Sequence, residues 1–428
     1  MKLNYKRTIL VGFAFFLISA FWQAYDTIVP LMLENVFHLK NTPRGFIMSF
    51  DNILAVFMLP LFGGISDKIS TKFGKRTPFI FIGTILAVIF FITLSYIRSV
   101  SLLWLFIIIL LFTLISMATF RSPAVALMPD VTVKPLRSKG NAIINLMGTA
   151  GGMIVLLLGS VFKTGEAGKT NFSSYIITVC AVMVTGLIIF LLTVKENKWA
   201  KEMEEETVSL GLEEKTKEED VEKRKLSKPE LKSLLLILAS VALWYIGYNA
   251  ITSSYSVYAT KDLGFSYSTT LLVAQAAAII SYIPVGIVAS KIGRKKTILA
   301  GVSMLTIAFA LGMLLPLFSS EVVTYPIFAL AGIGWATINV NSFPMVVELA
   351  KGGDVGKYTG FYYTASMSAQ IVTPILSGVF MDLLGRWVLF PYATIFAGLA
   401  FVTMFFVKHG DSKPESKKSV LENFDNDD

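Results

Sequence analysis

Apolar residues fall in twelve blocks of about 20 along the chain, separated by shorter polar segments. A block of that length crosses a hydrocarbon layer of about 30 Å as an α-helix. Runs such as "LLWLFIIILLFTLISMATF" do not alternate between polar and apolar positions, which excludes the strands of a membrane barrel. The predicted spans are 9–33, 44–65, 78–97, 102–128, 140–162, 174–194, 233–258, 268–289, 298–318, 323–349, 358–380 and 388–407.

Composition agrees with this pattern. Of the 428 residues, 54% are hydrophobic and 16% are charged, against roughly 25% charged residues in soluble domains. The first apolar run is too long for a cleavable signal and lacks a small-residue cleavage site, so it is predicted to remain as a helix. The sequence therefore predicts an all-α membrane protein with twelve transmembrane helices.

Positive charge predicts the orientation of these helices. Outside the long segment 195–232, the side of the membrane that holds both termini carries 20 lysines and arginines, and the other side carries seven. Cytoplasmic loops are the ones enriched in such residues, so both termini are expected in the cytoplasm and the protein in the inner or plasma membrane. The net charge of +9 reflects this topology rather than binding to nucleic acid.

Segment 195–232 divides the chain, with ten basic and twelve acidic residues and few aromatic ones. Such a composition is typical of a solvated linker, although a regulatory docking role stays open. The predicted organisation is an N-terminal six-helix bundle over 1–194, the linker, a C-terminal six-helix bundle over 233–407, and a cytoplasmic tail over 408–428.

The two bundles carry matching landmarks at nearly one offset. Trp22 and Trp244 are 222 residues apart, Asp26 and Asn249 are 223 apart, and Gly64 and Gly286 are 222 apart. Two pseudo-symmetric six-helix repeats are the construction of a secondary transporter, with the substrate site near the membrane midplane.

The polar phrase between the second and third spans, "GGISDKISTKFGKRTPFI", resembles the loop motif of the major facilitator superfamily. Its motif residues are Gly63, Asp67, Lys68, Gly74, Lys75 and Arg76, and the second half repeats it with Gly286, Lys291, Gly293, Arg294 and Lys295. The second copy lacks the acid, because Ala289 or Ser290 stands in its place. The stretches "GKRTPFI" and "SPAVALMPD" are similar to those of the sucrose-transporter family and its bacterial relatives.

That resemblance implies a proton-coupled disaccharide carrier that works by alternating access, without a cofactor and as a monomer. The plant members carry a basic residue where Val125 stands, whereas this chain has Arg121 one helical turn earlier.

The resemblance also implies a cytoplasmic gate of ion pairs at the helix ends, although a basic loop that only fixes topology stays possible. The gate residues would be Asp67, Lys75, Arg76, Asp130, Arg294, Lys295 and Glu348. Gly63 and Gly64 are expected to let two helices approach closely.

Three charged residues fall well inside predicted spans, away from the span ends, where their insertion costs at least about 2.5–3.5 kcal/mol and marks them as functional candidates. The rise per residue places Asp26 and Asp51 roughly 10 Å below the outer membrane surface and Arg121 roughly 28 Å below it. Proton coupling, binding of substrate hydroxyls and fixed pairing are the alternatives for the two acids. Arg121 is expected to serve in coupling or in gating, and a direct pair with Asp26 is not expected.

Helical spacing predicts mixed stripes of aromatic and amide side chains on five spans. Rings pack on the C–H faces of sugars and amides replace water at their hydroxyls, although such residues also join helices to one another. The predicted substrate contacts are Trp22, Tyr25, Asn145, Tyr245, Tyr248, Asn249, Trp335, Asn339, Tyr362 and Gln370.

Together these features predict a proton–sugar symporter for a disaccharide or glycoside. A proton-driven antiporter that exports amphipathic compounds is the alternative mechanism, and a channel or receptor is the alternative class. The sequence shows no nucleophile–base set that would suggest an enzyme. The two histidines, His38 and His409, lie in loops away from other metal ligands, so no metal site is predicted.

Overall fold

The computed structural model describes residues 3–97, 102–209, 227–318, 320–349 and 355–411, which form fourteen α-helices joined by loops and short turns. The first eight helices are α1 (Tyr5–Asn35), α2 (Asn41–Met48), α3 (Phe50–Lys68), α4 (Thr77–Ile97), α5 (Leu103–Asp130), α6 (Arg137–Val161), α7 (Ser173–Thr193) and α8 (Glu196–Ser209). The remaining six are α9 (Lys228–Tyr258), α10 (Tyr267–Ile292), α11 (Arg294–Gly312), α12 (Thr324–Val347), α13 (Val355–Leu384) and α14 (Leu389–Phe405).

Twelve segments of the described chain are long and apolar enough to cross a membrane, which confirms the predicted fold class. The helices α2 and α3 together form the second span, and α8 is the one helix among these fourteen that belongs to no span. Helix α9 begins at Lys228, five residues before the predicted start of the seventh span. The early start has a local cause, because Ser227 and Glu230 form a capping box and Pro229 occupies the first turn.

The described residues of 1–38, 50–164 and 168–217 form one compact unit. In it, α1 packs against α6 and α7, α5 packs against α3 and α4, and α4 also contacts α7. The long apolar helices meet through their buried faces, while many large apolar side chains on the other faces remain exposed, as a lipid-facing surface requires.

The described residues of 39–49, 165–167 and 218–428 form a second compact unit, which repeats the helix pairings of the first. Here α9 packs against α13 and α14, α12 packs against α10 and α11, and α11 contacts α14. Counted as spans, each pairing has its counterpart six spans earlier. The pairings therefore agree with the repeat read from the sequence offsets.

The second span is divided at Ser49, and its short first part α2 packs against α13 of the second unit. A Cβ atom at Gly45 would overlap the Pro374 carbonyl group, and one at Gly378 would overlap the Asn41 backbone. Glycine at both positions lets the two backbones touch. The second unit thus contains 39–49, a segment that the sequence assigns to the N-terminal bundle 1–194.

The carboxylate of Asp382 on α13 holds the first residues of α2. It accepts hydrogen bonds from the backbone N–H groups of Asn41 (2.9 Å) and Thr42 (2.8 Å) and from their side chains (2.8 and 2.6 Å). The N-cap residue of α2, Lys40, makes no side-chain cap of its own. Asp382 therefore caps α2 from a neighbouring helix.

We expect Asp382→Asn to lower the free energy of unfolding by about 1–2 kcal/mol, because an amide can accept at only one of the two oxygen positions. Denaturant unfolding of the purified protein in detergent measures this change. The matched control is Asp262→Asn, which removes a 3.5 Å pair with Arg386 at the surface and should cost about 1 kcal/mol or less. Equal losses of unfolding free energy in the two variants would show that the cap at Asp382 stabilises the protein no more than a surface ion pair does.

Candidate functional site

In the first unit, α1 presents an aromatic cluster around one acid. The rings of Trp22 and Tyr25 meet edge to face with centroids 5.4 Å apart, and Phe21 stacks on Tyr25 at 6.0 Å. Tyr25 is fully buried. Neither its hydroxyl group nor the indole N–H of Trp22 has a hydrogen-bond partner among the described residues. Two polar groups thus lie beside Asp26 with unused hydrogen-bonding capacity.

Asp26 and Asp51 are both half-buried, and the charge of Asp51 acts on Asp26. Asp51 lies in the first turn of α3, directly after the break at Ser49. Its carboxylate accepts hydrogen bonds from the backbone N–H (2.6 Å) and the side-chain amide (2.8 Å) of Asn52. No described group donates a hydrogen bond to Asp26. The two acids therefore differ in that only Asp51 is held in place by a neighbour.

Arg121 on α5 lies within electrostatic reach of the two acids. Its guanidinium carbon lies 5.5 Å from the ring centroid of Trp22, one helical turn from Asp26. Its charge acts on both Asp26 and Asp51. The depth of roughly 28 Å expected for Arg121 stays a prediction.

The other predicted contact in the first unit, Asn145, is half-buried on α6, which packs directly on α1. The hydroxyl group of Thr149 donates to the Asn145 carbonyl oxygen at 3.0 Å. The structure therefore places Asn145 in the same unit as the two acids, on a helix that neighbours the one carrying Asp26.

In the second unit, α9 and α12 join three of the predicted aromatic residues. Tyr248 stacks on Trp335 with ring centroids 3.6 Å apart and planes 5° from parallel, and Tyr245 meets Trp335 edge to face at 5.3 Å. The Asn249 amide donates to the Tyr245 carbonyl oxygen at 2.8 Å. Tyr248, Trp335 and Asn249 are only half-buried, so part of this flat aromatic surface remains accessible.

The remaining predicted contacts of the second unit lie on α12 and α13. The hydroxyl groups of Tyr362 and Ser342 are hydrogen-bonded at 3.0 Å, so Tyr362 is committed to a helix–helix contact. Asn339 is buried, whereas Gln370 is half-buried.

A buried guanidinium organises the loop between α3 and α4. Arg76 pairs with Asp67 (2.5 Å) and Asp130 (2.7 Å) and donates to the Ser66 hydroxyl group. Burial lowers the pKa of Arg76, but the hydrogen bonds and charges of the two acids outweigh it, so the pKa is raised. Of the expected gate residues here, Lys75 is exposed and its ammonium group contacts no described carboxylate.

The glycines of the sequence motif, two at the end of α3 and one in the loop, differ in role. Gly63 lies against Ser122 of α5, where a Cβ atom would be 2.7 Å from the hydroxyl oxygen. Gly64 faces open space, so the expected close approach was wrong for that residue. Gly74 has φ +123°, a conformation that favours glycine and directs the following backbone N–H groups to one point.

Glu196, at the start of α8, occupies that point, and the sequence interpretation missed it. Its buried carboxylate accepts hydrogen bonds from the backbone N–H groups of Lys75 (2.6 Å), Arg76 (2.8 Å) and Thr77 (2.8 Å). It also accepts one from the Thr77 hydroxyl group at 2.7 Å. Glu196 therefore caps α4 and attaches the start of the linker to the motif loop.

The second motif copy is built in the same way. Gly293 has φ +92°, and the Asp411 carboxylate accepts from the Lys295 backbone N–H at 3.0 Å. Arg294 pairs with Glu348 at 2.8 Å. The Lys295 ammonium group instead donates to the carbonyl oxygens of Phe405 (2.9 Å) and Val407 (2.5 Å), so it joins no carboxylate pair among the described residues. Asp411 and Glu196 each follow the last span of their half. This shared position is the one sequence signal that could have identified both acids as caps.

The comparisons with known proteins agree with this architecture. The model of the Major Facilitator Superfamily matches residues 11–374. Among solved structures, the inward-open conformation of the xylose transporter XylE from E. coli has a TM-score of 0.68 at 12% identity and covers 98% of this chain and 99% of its own. A point mutant of the nucleoside transporter NupG has a TM-score of 0.64 at 15% identity, covering 93% and 98%.

A POT family transporter in complex with 5-aminolevulinic acid has a TM-score of 0.69 at 13% identity, covering 94% of this chain and 95% of its own. At these identities the likeness concerns the fold alone. No curated protein has a sequence that matches this one.

Proposed function

The chain belongs to the major facilitator superfamily of membrane transporters, and from this premise we propose that it couples the uptake of a disaccharide or glycoside to the entry of a proton. It would work by alternating access in the inner or plasma membrane, as a monomer with both termini in the cytoplasm. The ion pairs of Arg76 and Arg294 would open and close at the cytoplasmic ends of the spans.

The observation that carries the proposal is the surroundings of Asp26. Asp26 belongs to a helix long and apolar enough to span a membrane, and its carboxyl group is half-buried. It accepts no hydrogen bond from a described residue, while the charges of Asp51 and Arg121 act on it. Burial of an ionisable group inside a membrane costs free energy, so membrane proteins retain such groups mainly where they have a function. Proton relays are one such function. Asp26 would take up the proton, and Asp51 and Arg121 would set the field around it.

Each of the two units carries an aromatic group whose features suit a sugar. The accessible Tyr248–Trp335 stack supplies a flat apolar surface for the C–H face of a sugar ring. The Tyr25 hydroxyl and Trp22 indole N–H supply buried polar groups that need partners, which sugar hydroxyls could provide. XylE and NupG are named for xylose and nucleosides, both of which contain sugar rings, which supports a polyhydroxylated substrate.

The alternative is a proton-driven antiporter for amphipathic compounds, because one fold hosts many functions. The aromatic stack favours it equally, since flat rings also bind drug-like compounds. The two mechanisms differ in the direction of the proton relative to the solute.

Uptake into proteoliposomes tests the proposal. With an inward proton gradient we expect accumulation of radiolabelled sucrose or maltose that a protonophore abolishes and that protein-free liposomes lack. A chain that moves no sugar in either direction, but that extrudes a cationic dye when the gradient is imposed, would establish the antiporter instead. Passive equilibration without accumulation would contradict coupling altogether.

A further inference from the structure

A cavity of about 630 Å³ lies in the second unit where α9 begins and α14 ends. The cavity is distant from the Tyr248–Trp335 stack. Lys232 and Tyr248 are 16 residues apart on α9, which corresponds to about 24 Å. The cavity is lined by Lys228, Pro229, Lys232, Ser233, Leu236, Phe406, Lys408 and His409.

The cavity is strongly cationic. Three lysines line it and no described carboxylate does. Lys228, Lys232 and Lys408 are exposed, and none of them forms an ion pair with a described residue. Of the acids nearest in sequence, Glu230 accepts from the Ser227 backbone N–H and hydroxyl at 2.9 and 2.8 Å, and Asp411 accepts from the Lys295 backbone. The positive charge therefore remains available to a ligand.

The two walls of the cavity are joined by Ser233, which is buried. Its hydroxyl oxygen accepts from the backbone N–H groups of Lys408 (3.4 Å) and His409 (3.2 Å), and it lies 3.1 Å from Nδ1 of His409. The segment that follows α14 is thus attached to α9. Lys408 and His409 consequently face the lysines of α9 across a formed cavity rather than from a free tail.

The length of α9 and the lysines at its start indicate a position for the cavity at the level of lipid headgroups. Helix α9 has 31 residues, and at about 46 Å it is longer than the hydrocarbon layer of about 30 Å, so its first turns extend into the headgroup region. Large apolar side chains lie beside the cavity with much of their surface exposed: Leu231 (47%), Leu235 (59%), Phe405 (58%) and Phe406 (60%). A ligand with a phosphate group and apolar chains would contact the lysines with the phosphate and the apolar side chains with its chains.

We propose that this cavity binds the phosphate headgroup of an anionic phospholipid, with the acyl chains along Leu235 and Phe406. Lysines beside a membrane attract anionic lipids, and basic cavities between transmembrane helices hold their headgroups. A soluble phosphate would use the same lysines but would gain nothing from the apolar residues. The apolar rim therefore favours the lipid.

Native mass spectrometry of the full-length protein, titrated with phosphatidylglycerol, tests the proposal. We expect Lys232→Gln with Lys408→Gln to weaken phosphatidylglycerol binding by about fivefold per lysine, or about 25-fold for the pair. The matched control is Lys291→Gln with Lys296→Gln, which removes the same charge from exposed lysines of the second unit that do not line the cavity. The control should retain wild-type binding, and Lys232→Arg with Lys408→Arg should retain most of it.

Two outcomes would overturn the proposal. Equal weakening by the cavity pair and the control pair would show that binding follows total charge rather than this cavity. Displacement of phosphatidylglycerol by inorganic phosphate would identify a soluble phosphate as the ligand. Melting temperatures of all variants without added lipid establish that each is folded, so a loss of binding is not a loss of structure.

Discussion

Asp26→Asn is expected to abolish proton-driven accumulation while the protein continues to exchange substrate. In one-to-one symport, a gradient of about two pH units corresponds to about 2.8 kcal/mol and supports about 100-fold accumulation. Asparagine keeps the shape of the side chain but cannot ionise, so the accumulation ratio should fall to about one. Counterflow, in which labelled substrate exchanges for unlabelled substrate without a gradient, should persist, since it requires no net proton movement.

The control for this experiment is Glu34→Gln, a carboxyl-to-amide change two turns further along the same helix. It should accumulate substrate as the wild type does. Asp51→Asn is expected to slow transport but leave accumulation dependent on the gradient, because Asn52 already holds that carboxylate. Wild-type accumulation by Asp26→Asn would refute the role of Asp26 in coupling. Loss of counterflow in a folded protein would assign Asp26 to substrate binding instead.

Arg76→Gln is expected to cost about 3 kcal/mol of stability, the largest loss that we expect at the motif loop. Removal of one partner from a buried pair leaves the remaining charges uncompensated, which costs about 3–5 kcal/mol. The lower figure applies because Asp67 is exposed and water can solvate it. Asp130 and Ser66 would lose their partner in less accessible surroundings. Denaturant unfolding in detergent measures the loss.

The neighbouring variant Lys75→Gln removes the same charge from the same loop. It distinguishes the loss of the Arg76 ion pairs from the loss of one positive charge in the loop. The Lys75 side chain is exposed and touches no described carboxylate, so its change should lie within about 0.5 kcal/mol. A loss as large as that of Arg76→Gln would mean that the loop acts through its total charge. An unchanged free energy of unfolding for Arg76→Gln would show that the ion pairs of Arg76 with Asp67 and Asp130 contribute little to stability.

The sequence predicted those parts of the molecule that depend on local pattern. The twelve spans follow from length and apolarity, and the recurrence of the same helix pairings in both units agrees with the offset of about 222 residues. Helical spacing also placed Tyr245 and Tyr248 on one face of the seventh span. That both rings meet Trp335 of the tenth span is a contact between distant segments, which only the structure shows.

What the sequence could not supply are contacts that depend on backbone groups or on the reach of a side chain. Glu196 and Asp411 bind backbone N–H groups at helix starts more than 100 residues away, and backbone donors carry no residue signature. The contact of the Arg121 guanidinium group with the Trp22 ring depends on how α5 packs near α1, which the spacing along one helix does not give. Lys295 was assigned to an acid, but it binds the carbonyl groups at the end of α14, which any sequence presents.

The packing of α2 has a consequence for attempts to divide this protein into halves. A cut in segment 195–232 would separate the sequence repeats cleanly, yet the C-terminal polypeptide would lack the helix that covers Gly378 and occupies Asp382. An aspartate and a bare stretch of backbone would then be left uncovered. The two fragments are therefore better regarded as obligate complements that must be co-expressed than as independent folding modules.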